Sequence, residues 1–135
     1  MRPRKVATTW RLAAEKALHS LARTLLVPGD LLGQVTHAID QLDGLGRVRW
    51  TDISQQPKDA EAGPADLVTK LDFAPGEAGA WLKAKITADY PLVCVENDAA
   101  MHVHPKAITP AGTMKTGNGT FERDTRGLPA SEYLL

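Results

Sequence analysis

The chain has one cysteine, Cys94, in 135 residues, which excludes an intrachain disulfide framework and fits a reducing compartment. Aromatics are scarce, 5% of the residues, so Trp10, Trp50 and Trp81 are each expected to anchor packing. No apolar run approaches the ~18 residues a membrane helix needs, and the chain is expected to be soluble, with no membrane partner. It has no net charge, 16 basic side chains matching 16 acidic ones. There is no P-loop, and Gly117-Asn118-Gly119 opens like a dinucleotide fingerprint but lacks the third glycine. No motif of high catalytic specificity remains, and no enzyme and no cofactor is expected.

What the chain does have is a segregated charge. Residues 1–25 carry Arg2, Arg4, Lys5, Arg11, Lys16 and Arg23 against Glu15 alone, a local balance of +5. Residues 26–100 sum to −6, and the stretch from Met101 onward returns to +1. A basic head of this kind suits an anionic partner, or the acidic middle of a neighbouring copy. The same Arg-rich, nearly acid-free N-terminus also has the composition of a mitochondrial transit peptide.

Hydrophobic spacing predicts an amphipathic helix over residues 8–26, with Trp10, Ala14, Leu18, Leu21 and Leu25 on one stripe and Arg11, Glu15, Lys16, His19 and Arg23 mainly on a solvated basic face. Pro28-Gly29 stops it. Asp30 can cap a second helix through Leu42, with Leu31, Val35, Ile39 and Leu42 on a stripe, and the pair is expected to fold as a helical hairpin. The period changes to two over residues 46–53, where Val48 and Trp50 alternate with Arg47, Arg49 and Thr51, a strand with one wet face. Residues 54–64 are polar and turn-rich, a loop or hinge. Residues 65–73 fit either a strand or a short helix, and residues 79–90 lean to helix on their alanine content. Leu92–Val95 and Met101–His104 are β-rich runs around Asn97-Asp98, which predicts a hairpin, and Asn118-Gly119 suits a second hairpin with a type I′ turn.

The first hairpin carries a candidate site. A three-residue loop at Asp98-Ala99-Ala100 would set Glu96 opposite His102 and Cys94 opposite His104, the ligand types zinc uses. Two histidines alternating on the wet face of a strand are also ordinary surface residues, and a Cys94 buried in an apolar strand is inert as a nucleophile. Nucleic-acid binding is a second possibility, through an arm of Arg2, Arg4 and Lys5 extended by Arg11, Lys16 and Arg23. A zero net charge and a second helix that is not basic, with Gln34, His37, Asp40, Gln41 and Asp43, weigh against it.

The expected architecture is an α+β domain: a helical hairpin plus first strand (1–53), a hinge (54–64), the α/β remainder of the same core (65–108), and an extended polar C-terminal arm (109–135). The expected role is a non-enzymatic structural or adaptor subunit of a larger assembly, for instance a head, neck or tail component of a phage particle. It would be cytoplasmic or particle-associated, binding its own copies or another protein subunit through the basic head and the terminal Tyr133, Leu134 and Leu135. On that reading, removal of residues 113–135 abolishes assembly and leaves the core folded.

Overall fold

The computed structural model describes residues 2–3, as backbone, and 9–126. The architecture is α+β: three helices around small sheets. Strand β1 (Arg2–Pro3) is followed by α1 (Arg11–Ala22), β2 (Leu25–Val27), α2 (Leu32–Asp40), β3 (Trp50–Asp52), β4 (Leu71–Asp72), α3 (Glu77–Asp89), β5 (Val93–Cys94), β6 (Ala107–Ile108), β7 (Met114–Gly117) and β8 (Thr120–Glu122).

The first helix is shorter than its apolar spacing suggests. After Ala22 the Arg23 N–H still bonds His19 O, but the Thr24 hydroxyl donates to Ser20 O at 2.9 Å and takes up a carbonyl the next turn would have used. Leu25-Leu26-Val27, a β-favouring run closed by Pro28, then leaves the helix as a strand. It lies parallel to β3, pairing Leu25 with Trp50 and Val27 with Asp52. Parallel strands need a crossover, and α2 supplies it. The predicted helical hairpin is therefore a β-α-β unit. α2 caps nothing in the core: none of its residues is buried, and it is tied down by the Trp50 indole, which donates to Thr36 Oγ1 at 3.0 Å.

The core is built where α1 meets α3. Ala13, Ala14, Leu18 and Leu21 of α1 pack with Ile53, Leu67, Leu71, Trp81, Ile86 and Ile108. Leu18, Leu67, Ile86 and Ile108 are wholly excluded from water, each contributing about 1.5–3 kcal/mol by burial. Trp10 and Trp81 are buried as expected of anchors, and Trp81 donates its indole N–H to Gln55 O at 2.8 Å, fastening the loop that begins there. Glu15, placed by spacing on the solvated face of α1, is instead 1% exposed. Gly79 shows how tightly α3 seats: a Cβ there would stand 1.8 Å from Ala74 O.

Residues 67–70 resolve the ambiguous stretch into a 3-10 turn that runs into β4, and β4 pairs antiparallel with β1, Arg2 opposite Asp72. The head of the supposed free arm is thus bound into a two-stranded sheet. The C-terminal region builds a four-stranded sheet in the order β5-β6-β7-β8. Only β5 and β6 run parallel. Asn118 (φ 51°) and Gly119 (φ 74°) form the left-handed pair of a type I′ turn between β7 and β8. Met114 packs against the core, so this segment is sheet and not merely an appended arm.

Candidate functional site

The hairpin that would have gathered Cys94, Glu96, His102 and His104 does not form. The Asn97 side chain accepts the Ala100 N–H at 3.1 Å and starts a 3-10 turn over Asp98–Val103, which absorbs the run read as a strand. β5 pairs instead with β6, Cys94 beside Ile108. Among the described residues no group of three or more His, Cys, Asp or Glu is placed to hold a metal ion. Burial pushes the Cys94 thiol up to about 12, the reverse of what a thiolate ligand or nucleophile requires.

What the turn does create is an exposed apolar patch beside the sheet's free edge. Val103 is 80% exposed, and the ring of its neighbour His102 lies 6.4 Å from that of Phe121 at an interplanar angle of 59°. Phe121 is 48% exposed, with Lys115 Nζ 5.7 Å from its ring centroid. Phe121 sits in β8, whose residues are all exposed and which, among the described residues, pairs on one side only, with β7. Sequence reading passed over Phe121 as part of a polar stretch; its signal was a large aromatic two residues after an Asn-Gly turn.

The basic residues of α1 divide. Lys16 turns toward the C-terminal segment and donates to Arg126 O at 2.8 Å. There Asp124 accepts from Arg126 Nε and Nη2 at 2.9 and 2.7 Å, and this pairing holds its carboxyl far below the usual carboxylate range. Arg11 is at the other end of the helix from Arg23, about 18 Å along the axis at 1.5 Å per residue. Lys16 and Arg23, seven residues apart, stay on one side of the helix, and Arg11 does not join them. The side chains of Arg2, Arg4 and Lys5, and all of Tyr133, Leu134 and Leu135, lie outside the described residues.

Arg23 instead enters a cleft that the β-α-β unit makes. The C-terminal end of α1 and the segment leading into β3 bound a space of about 430 Å³, lined by His19, Ser20, Arg23, Leu25, Arg47, Val48 and Arg49. Arg23 Nη1 lies 3.4 Å from His19 Nε2. Arg49 O accepts the Leu25 N–H at 3.0 Å, which fixes that backbone against β2. Arg47 and Arg49 were read from the sequence only as the wet positions of a strand. Their convergence with Arg23 depends on the parallel pairing, which spacing does not reveal.

No protein-family model matches the sequence. No curated protein matches it either. Solved structures do. The chain superposes on the Smc hinge domain of Pyrococcus furiosus with an extended coiled coil, at a TM-score of 0.70 and 18% identity, covering 92% of this chain and 47% of that one. It also superposes on an asymmetric dimer of the Geobacillus stearothermophilus SMC hinge domain, at a TM-score of 0.66 and 14% identity, over 94% of this chain and 57% of that one. The chain has the fold of an SMC hinge domain. It spans about half the length of the solved chains it matches. These comparisons lend no support to a phage-particle component. No helix among the described residues is long and apolar enough to cross a membrane.

Proposed function

We propose that this chain is a non-catalytic association module that pairs with a second copy of itself within a larger assembly. The observation that carries this reading is the hinge-domain fold over more than nine-tenths of the chain, together with the fact that one of the matched hinge domains crystallised as a dimer. The surface it uses is the free edge of the four-stranded sheet. An outer strand presents unpaired backbone donors and acceptors, and native proteins usually protect such an edge with charge or cover. Here the edge bears a half-exposed phenylalanine whose ring neighbour, His102, precedes an exposed valine in sequence, which suits a partner strand and its side chains. A Cys94 thiol raised by burial supports a structural place for that residue.

Nucleic-acid binding through the N-terminal arm draws less support, because Arg11 lies on a different side of α1 from Lys16 and Arg23 and Lys16 is engaged with Arg126 O. Light scattering during size-exclusion chromatography tests the proposal. The chain is expected to elute at twice its mass of 14.6 kDa. Phe121→Lys, which adds a like charge beside Lys115 at the edge, is expected to return it to monomer, whereas Leu42→Lys beyond α2 leaves the dimer intact. Loss of the dimer in the Leu42 variant alone would move the interface to the helix.

A further inference from the structure

We propose that the cleft between the end of α1 and the segment entering β3 binds the phosphate groups of a compact polyanion. Three arginines, Arg23, Arg47 and Arg49, line one concavity with His19. None of the three is ion-paired with a carboxylate among the described residues. Asp89, which lines the adjoining cleft with Arg49, is paired with Lys85. Converging like charges repel one another, and a bound anion relieves that repulsion while offering the paired oxygens a guanidinium fork matches. The helix terminus accounts for part of the cluster, since a cation at a C-terminal end complements the macrodipole, and this suffices for Arg23. It does not account for Arg47 and Arg49, which come from another segment and are brought in by β2–β3 pairing.

The size and surroundings of the cleft choose the ligand. A volume of about 430 Å³ suits a polyphosphate or nucleotide. A nucleic-acid backbone would need a longer basic track, and the next basic side chain on that side of α1, Lys16, is turned to Arg126, with Arg11 at the far end of the helix and on another side. Leu25, 51% exposed, and Val48 give one wall an apolar character that a free inorganic chain does not require and that a nucleobase would use.

Isothermal titration of the full chain with tripolyphosphate, ATP and a 20-base-pair DNA duplex, each at low and at physiological salt, tests this. Saturable binding of tripolyphosphate at one site is expected, and Arg47→Gln combined with Arg49→Gln should weaken it about tenfold or more. Lys58→Gln and Lys83→Gln, on a different cleft, should leave it unchanged. Tighter binding of ATP than of tripolyphosphate assigns a nucleotide and gives the apolar wall its role, while equal binding assigns the phosphate chain alone; both uphold the site. Absence of tripolyphosphate binding overturns the proposal, as does a duplex that binds where tripolyphosphate does not. An Arg47/Arg49 variant with unchanged circular dichroism that binds like the parent also overturns it. Should the double variant fail to fold, Arg47→Gln alone, on an exposed segment without regular structure, is read in the same way.

Discussion

Cys94 shows how a single side chain decides between chemistries. Its thiol is pushed up to about 12, first by burial, with Lys70 opposing and Asp66 adding to the shift. Modification by an aromatic disulfide reagent at pH 8 is expected to be far slower than for a free thiol and to reach the free rate only when denaturant unfolds the chain; prompt labelling of the folded protein would contradict this. The folded thiol keeps its proton where the unfolded thiol loses it. Its contribution to stability is therefore complete below about pH 8.5 and is lost as the pH rises toward 12. Cys94→Ala should flatten the decline in unfolding midpoint over that range. The residue's inertness was legible from its apolar flanks. Its neighbours were not, because Asn97 reads equally well as the tip of a hairpin and as the cap of a 3-10 turn, and only the side-chain hydrogen bond to Ala100 separates the two.

The elements were legible in kind and often mistaken in connection. α3 forms because Pro75 and Gly76 (φ 110°) set its start, Glu77 favours its first turn, and Trp81 and Ile86 find the core. The alternation of Leu82, Ala84 and Ile86 was compatible with a strand, and tertiary burial of Trp81 and Gly79 outweighs it. Gly79 yields the sharpest test at this scale. An exposed helical Gly→Ala change normally gains stability, by about 0.5–1 kcal/mol. Here the added methyl would meet Ala74 O, so Gly79→Ala is expected to destabilise by about 1–3 kcal/mol, read as a lower urea midpoint with an unchanged slope. A stabilised variant would show that the 74–79 approach is looser than the structure has it. The β2 strand escaped sequence reading because Leu25 and Leu26 continue the helical stripe of α1 while also being good strand residues. What breaks the tie is the partner strand β3, which begins 23 residues beyond Val27, a distance at which periodicity carries no signal.

Over the whole molecule, charge segregation was legible, and the fold distributes the basic head: Arg2–Pro3 is paired with β4, Lys16 is turned to Arg126 and Arg23 enters a cleft with arginines from the acidic middle of the chain. The C-terminal region is not dispensable to the core, contrary to what the truncation of residues 113–135 supposed. Its β7 pairs Ile108 with Met114, and Met114 packs against the main cluster, so that truncation should cost folding itself. Of the apolar residues left exposed among the described ones, Val103 and Phe121 belong to the region of the sheet edge proposed to meet a second copy, while Leu25, Leu31, Leu42 and Leu45 lie in and around the β-α-β unit. Sedimentation equilibrium of the unmodified chain over a hundredfold range of concentration bears on this most directly. The expected result is a monomer–dimer equilibrium that approaches twice 14.6 kDa at the upper end. A single species of 14.6 kDa throughout would contradict the proposed association.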